Sequence, residues 1–279
     1  MQKSVAVALD VARSYDPAGR SWTVLLGLNE QWCKHSGIGA LSRLYVEAGT
    51  TEKGEVFHYS MLVIDPYACT QQSIEHIWGR RFQFHSASGY VEIGDRPRLV
   101  MAGGFREGDA ITNRTQGYDI NDGTWITLAN IPRPVAGHDC IPFWPTGLLI
   151  LGGNNGQGKA CREYDPDQDV WITQGETVRE CRHAEAETIR NNTYILGIAA
   201  VLQTRCNTVD AWTILTSPPC HCSNATAGLT FQDDIYFLMS VEAHGIACVY
   251  STLSDSWRME SIGPEIEKIP EYGHTFDWA

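Results

Sequence analysis

No apolar run in this chain approaches the length of a membrane span. Leu148–Leu151 and Ile195–Leu202, among the longest, fall far short of the roughly 20 residues a helix needs to cross a bilayer. The first residues offer only Val5–Leu9 before Asp10, too short for a signal-peptide core, so secretion is not expected and a cytoplasmic protein is. Basic residues are scarce: 21 Lys and Arg stand against 33 Asp and Glu, for a formal charge of -12. That balance excludes a broad attraction to nucleic acid or to an anionic membrane. Nine cysteines are an odd number scattered without the density of a disulfide scaffold, and most are expected to be reduced. Asn113-Arg114-Thr115, Asn191-Asn192-Thr193 and Asn224-Ala225-Thr226 match the N-glycosylation pattern, which has meaning only in a secreted chain. Also missing are a Gly-x-Gly-x-x-Gly turn, a Walker loop, a His-Glu-x-x-His zinc motif and a Gly-x-Ser-x-Gly elbow. No catalytic residue, metal ligand or cofactor is therefore assigned.

What the chain does have is glycine (26), tryptophan (9) and short apolar runs, a mixture that favours strands and turns. Leu99–Ala102 before Gly103-Gly104 and Leu148–Leu151 before Gly152-Gly153 read as buried strands with abrupt ends. An internal repeat organises the rest. Tyr15-Asp16 to Trp22, Tyr118-Asp119 to Trp125 and Tyr164-Asp165 to Trp171 share one frame, Tyr250 to Trp257 keeps its end residues, and Ile64-Asp65-Pro66 to Gln71 is a worn copy. Between Arg205 and Trp212 only the tryptophan and the spacing remain. The marks at Trp22, Gln71, Trp125, Trp171, Trp212 and Trp257 stand 41 to 54 residues apart. A period of this size built from short β-runs and turns belongs to propeller blades. Tyr-Asp-Pro before Trp supplies a strand end, a turn and a new strand, the chemistry of a hairpin.

Gly-Gly, Tyr-Asp and Trp in that order resemble the kelch repeat. A histidine ahead of each glycine strand, at His35, His85, His138 and His183, adds to the resemblance, which covers nearly the whole chain and is strongest from about residue 80 to Trp171. Its one-per-blade recurrence favours a structural hydrogen bond over metal or acid-base chemistry. The resemblance implies an all-β, kelch-type β-propeller, a single domain over residues 1–279. Each blade would place strand a after the histidine, strand b before Gly-Gly, strand c through Tyr-Asp and strand d from Trp. Six blades are expected: full ones at about 31–77, 78–130, 131–177, 178–216 and 217–262, and a split or incomplete one joining residues 1–30 to the tail at 263–279.

For function, the resemblance implies a protein–protein interaction scaffold of the substrate-adaptor or actin-associated kind. Its partner-binding residues would lie on the loops after Gly-Gly and before strand a. They are Phe105, Arg106, Asn154 and Asn155 after the glycine pairs, with Glu107 alongside, and Arg80, Arg81, Arg133, Arg182 and Tyr272 before strand a. Arginines gathered in an acidic chain suit a carboxylate-rich protein or peptide, because guanidinium offers a bidentate fork. The alternative is a sugar-active or metal-dependent enzyme with its site at the axial mouth. Kelch enzymes include copper-radical oxidases, sialic-acid epimerases and iron-dependent specifier proteins. The iron motif of the last breaks after Glu163 and Asp167, where Trp171 stands. Cys206, Cys220, His221 and Cys222 form a metal-like cluster of poor spacing, open to zinc, to a Cys206–Cys220 disulfide or to free thiols.

Overall fold

Tyr and Trp stand seven positions apart because they face each other across a hairpin. In the computed structural model, Tyr118 registers with Trp125, Tyr164 with Trp171 and Tyr250 with Trp257. The rings pack tilted, with centroids 4.9, 5.0 and 5.1 Å apart. The intervening turn is built by the aspartate after the tyrosine. Asp65 Oδ1 accepts the Tyr67 and Ala68 N–H groups, Asp119 Oδ1 those of Asn121 and Asp122, and Asp165 Oδ1 those of Asp167 and Gln168, a local side-chain turn that competes well with an extended backbone. The last turn residue is left-handed in the four copies where it is described: Cys69, Gly123, Asp169 and Asp255 have φ of 53, 67, 52 and 47°.

The structure describes residues 3–16, 19, 21–32, 35–47, 49, 58, 60–75, 86–106, 110–143, 147–197, 200–209, 211–219, 225–239, 245–263 and 275–278. All regular elements among them are strands, and no helix is long and apolar enough to cross a membrane. The chain forms two compact units, residues 76–215 and residues 1–75 with 216–279.

In chain order the strands begin with β1 (Lys3–Asp16) and β2 (Ser21–Trp32), then β3 (Ser36–Ala40), β4 (Arg43–Glu47), β5 (Ser60–Asp65) and β6 (Thr70–Glu75). The second unit holds β7 (Ala87–Ile93), β8 (Arg96–Ala102), a two-residue hairpin of β9 (Phe105–Arg106) and β10 (Ala110–Ile111), β11 (Thr115–Asp119) and β12 (Thr124–Leu128). It continues with β13 (Asp139–Phe143), β14 (Gly147–Leu151), β15 (Cys161–Asp165), β16 (Val170–Thr173), β17 (Glu185–Ile189), β18 (Asn192–Gly197), β19 (Val201–Cys206) and β20 (Trp212–Ile214). The first unit resumes with β21 (Ala225–Phe231), β22 (Asp234–Met239), β23 (Gly245–Ser251), β24 (Ser256–Gly263) and β25 (Thr275–Trp278).

These make five four-stranded antiparallel sheets: β3 to β6, β7-β8-β11-β12, β13 to β16, β17 to β20 and β21 to β24. The blade count is thus five, not the six expected. Residues assigned to the sixth blade form only a three-stranded sheet of order β2-β1-β25. The reason lies in where the tail pairs. Residues 275–278 dock directly on β1, Lys3 opposite Trp278 through Ala6 opposite Thr275, so they take the place of strand b, and among the described residues no inner strand a accompanies them.

Within each unit, neighbouring sheets pack face to face through short apolar runs. Val91, Val100 and Leu128 from one sheet meet Leu148 and Tyr164 from the next, and Leu149, Leu151 and Cys161 meet Ala186, Ile195 and Trp212. In the other unit, Ala12 and Trp32 pack against Leu44, Val46, Leu62 and Ile64. A second device ties sheets together at their outer edge. Trp171 Nε1 donates to the Ala129 carbonyl (2.8 Å), while the Ala129 N–H and the Tyr164 hydroxyl both donate to Asp169 Oδ1 (2.8 Å each). The same clasp recurs in the other unit. There Trp257 Nε1 donates to the Thr216 carbonyl, and Thr216 N–H and Tyr250 hydroxyl donate to Asp255 Oδ1. In the worn copy, one amide fills both roles: Gln71 Nε2 donates to the Gly27 carbonyl (2.9 Å) and its Oε1 accepts the Asn29 N–H (3.4 Å).

Candidate functional site

The paired glycines bring two kinds of loop together. Gly103 and Gly152 have φ of 67 and 70°, and Gly104 and Gly153 φ of 97 and 108°, a region that L side chains avoid. The turn lets Gly104 N–H donate to the Val135 carbonyl (2.7 Å) and Gly153 N–H to the Cys181 carbonyl (2.8 Å). A Cβ at Gly103 would stand 2.5 Å from the Val135 oxygen, and one at Gly152 only 1.7 Å from the Cys181 oxygen. Val135 and Cys181 lie in the segments that lead into β13 and β17, so each glycine pair receives the loop entering the next sheet. Asn154 N–H donates to the Ala136 carbonyl and His183 N–H to the Gly137 carbonyl, which continues the same seam. In residues 76–215 the loops after Gly-Gly and those before strand a therefore form one surface.

Of the residues expected on it, Phe105 and Arg106 sit on β9, paired with Ile111 and Ala110. Arg133 is exposed on the loop before β13. Asn154 packs beside Gly137, and Asn155 is an exposed loop residue with φ of 60°. Arg182 is held by Glu180 in an ion pair of 3.1 Å. Arg80, Arg81, Glu107 and Tyr272 lie outside the described residues. The histidines behave as interior groups. His35 is buried, and burial pulls the pKa of His183 down, with Arg182 adding to it. Burial, reinforced by the Arg162 charge, pushes the His138 pKa down to about 3, so that ring is neutral. His85 lies outside the described residues.

The same surface opens into a cavity of about 470 Å³, walled by the 156–162 segment, by Pro132 and Arg133, by Thr173 and Gln174, and by Glu176 and Glu180. Its floor is Arg162, which is 5% exposed. Arg162 Nη2 donates to Gln157 Oε1, and Gln157 is itself buried in a loop tied by Gln157 N–H to Asn154 O, Ala160 N–H to Gln157 O and Gly152 N–H to Ala160 O. Arg162 Nη1 has no hydrogen-bond partner. Burial lowers the Arg162 pKa, and the neighbouring Arg133 charge lowers it further, yet a guanidinium stays protonated. Arg205 is a contrasting buried arginine, stacked over the Phe143 ring at 5.2 Å. Arg162, Gln157 and Lys159 were not among the expected residues. The signal was nonetheless in the chain, because Arg162 is two residues before Tyr164 and so shares its inward face on a strand.

A half-buried acid lies nearby. Asp139 accepts the Cys140 N–H at Oδ1 (2.7 Å) and the Ala186 N–H at Oδ2 (2.6 Å), and burial raises its pKa to about 7 against those two donors. It joins β13 to β17 rather than opening on the cavity. Cys206 is a free thiol beside Thr208 (3.2 Å), so the Cys206–Cys220 disulfide is not formed; the other three members of that cluster lie outside the described residues. Cys69, Cys140, Cys161 and Cys181 are also free, whereas Cys248 is disulfide-bonded. Among the described residues no group of three His, Cys, Asp or Glu side chains is placed to hold a metal ion.

This arrangement of sheets has a counterpart among solved structures. The chain is similar to a protein whose structure is titled "Structure of YjhT", with a TM-score of 0.71, 14% identity and 88% of each chain covered. The fold is a β-propeller. At that identity the likeness speaks for the propeller alone and carries no activity across. No protein-family model matches the chain, and no curated protein matches it.

Proposed function

We propose that this propeller is a kelch-like interaction module that holds a partner protein or peptide on the surface made by the loops after Gly-Gly and before strand a. The observation that carries the reading is the seam itself. Gly103-Gly104 and Gly152-Gly153 lock the two loop sets together by backbone hydrogen bonds, which makes a preorganised platform out of segments that are otherwise the most variable in a fold. On that platform stand Phe105, Arg106, Arg133, Asn154, Asn155 and Arg182, and the expected partner is rich in carboxylates. At the opposite end lie tight Asx turns such as Asp165 to Gln168, where the Asp165 carboxylate is already spent on the backbone. Fork-shaped donors such as Arg106 and Arg133 on a rigid base favour recognition over catalysis.

The test is affinity capture from the source cell with the wild type, with the triple variant Arg106→Ala, Arg133→Ala, Arg182→Ala, and with Gln168→Ala on the far turn. A partner retained by wild type and by Gln168→Ala, and reduced at least tenfold on the triple variant, is the expected result. Equal recovery on all three would refute the assignment of this surface.

A further inference from the structure

Asn155-Gly156 is the one Asn-Gly pair in the chain. It forms the centre of a turn closed by Gln157 N–H on the Asn154 carbonyl at 3.2 Å, the longest of the backbone bonds that hold this loop. With φ of 60° at Asn155 and 71° at Gly156, both central residues are left-handed, as in a type I′ turn. Both are exposed, and a Cβ at Gly156 would have open space around it. Among the described residues no hydrogen bond holds the Asn155 side-chain amide or the Gly156 N–H. The bond that Asn155 does make uses its backbone carbonyl, which accepts from Gln157 Nε2 at 3.5 Å. Asparagine amides elsewhere are engaged: Asn113 Nδ2 donates to the Ile131 carbonyl, Asn191 Nδ2 to Cys206 Sγ, and Asn207 Oδ1 accepts the Thr193 hydroxyl.

We propose that Asn155 is a self-modifying site, at which the Gly156 backbone nitrogen attacks the Asn155 side-chain amide and a neutral residue becomes an anion. The Gly156 N–Cγ bond forms, the Cγ–Nδ2 bond breaks, and ammonia leaves with the proton of the Gly156 N–H. Water then opens the cyclic imide at either carbonyl, giving aspartate from one side and isoaspartate from the other, and the new acid releases its proton at neutral pH. Ring closure needs a nitrogen with no hydrogen bond to surrender, a side-chain amide free to turn towards it, and no Cβ in the way. This turn supplies all three. Asp122-Gly123 is the contrast. Gly123 has a similar φ of 67°, but its N–H donates to the Asp119 carbonyl at 2.9 Å, and Asp122 is paired with Arg96. The consequence rests on the partner reading above. Asn155 stands on that loop surface, and its neighbour Gly156 lines a cavity together with Arg133. An anion there opposes a carboxylate-rich partner, and isoaspartate adds a carbon to the main chain of a loop whose hydrogen bonds depend on residue spacing. The chain would thus lose its hold on the partner as it ages.

The experiment incubates the full chain in neutral buffer below its melting transition and follows residue 155 by peptide mapping, with isoaspartyl methyltransferase labelling to separate the two products. Three proteins are compared: wild type, Gly156→Ala, and Asp122→Asn, which puts the same dipeptide in the turn whose glycine N–H is bonded. Aspartate and isoaspartate should accumulate at 155 in wild type, at least tenfold slower in Gly156→Ala, and at least tenfold faster than at position 122 of Asp122→Asn. In urea the two amides of Asp122→Asn should convert at equal rates. A residue 155 that stays intact, that converts as fast in Gly156→Ala, or that converts no faster than position 122 would overturn the site. Should Asp122→Asn fold poorly, the Gly156→Ala comparison decides alone. For the consequence, Asn155→Asp enters the affinity capture and should recover the partner severalfold less than wild type. The readings fail separately. Conversion at 155 with capture unchanged in the arginine triple variant removes the partner surface and leaves the site; capture lost in the triple variant with residue 155 intact removes the site and leaves the surface.

Discussion

Replacing Asp169 tests how the repeat is held together. Its Oδ1 receives two hydrogen bonds of 2.8 Å, from the Tyr164 hydroxyl and from the Ala129 N–H, while its backbone sits at φ of 52°. Each hydrogen bond contributes about 1 kcal/mol net, and holding alanine in a left-handed conformation costs about 1 kcal/mol. Asp169→Ala should therefore destabilise by about 3 kcal/mol. Asp169→Gly loses the same two bonds without the left-handed cost, so it should lose about 2 kcal/mol; Asp169→Asn keeps an acceptor oxygen and should lose under about 1 kcal/mol. The chain already contains the glycine solution, because Gly123 occupies the equivalent position with φ of 67°. Urea denaturation followed by tryptophan fluorescence gives the three values directly. If glycine proved as damaging as alanine, the backbone part of the argument would be wrong. If alanine matched wild type, the clasp would contribute nothing.

Two further substitutions probe separate features. Gly152→Ala places a Cβ 1.7 Å from the Cys181 oxygen and should destabilise by at least about 3 kcal/mol, whereas Gly156→Ala, with open space around it and φ of 71°, should lose only about 1 kcal/mol; equal losses in chemical denaturation would contradict the close-approach account. Glu47 is fully buried and neither carboxyl oxygen has a hydrogen-bond partner, and burial raises its pKa well above the ordinary carboxyl range. A raised acid contributes stability at low pH that is lost as pH rises towards its folded value. Glu47→Met should thus be more stable than wild type, with a margin that grows as pH rises above the ordinary carboxyl range; a margin independent of pH in thermal melts would refute the assignment.

Much of the fold was legible because the repeat writes its hydrogen bonds in recognisable letters. Tyr and Trp seven apart announce a hairpin, Asp after Tyr announces its turn, and Gly-Gly announces a backbone that must be approached closely. The blade count was misread at the termini because four residues at 275–278 carry no information about which strand position they fill; only their pairing with residues 3–6 settles it. The loop residues were legible as a class, since they flank the glycine pairs. Arg162 was not, although its inward phase beside Tyr164 was available. The expectation had been that charges on this surface belong to loops, and Arg162 belongs to β15. Nor could spacing show that Glu180 was already engaged by Arg182, which depends on how two exposed side chains turn.

The Gln71 amide has a consequence for how such chains diverge. One planar group, with a donor and an acceptor on the same carbon, replaces an indole N–H and a carboxylate that elsewhere come from two different residues. A comparison of letters scores that position as a lost tryptophan and a lost aspartate. The polypeptide backbone meets the same complementary pair. What persists from blade to blade is a pattern of offered protons and lone pairs at the outer strand, and side chains are interchangeable carriers of it. A propeller can thus drift from its own repeat while a sheet edge it needs to tie remains tied.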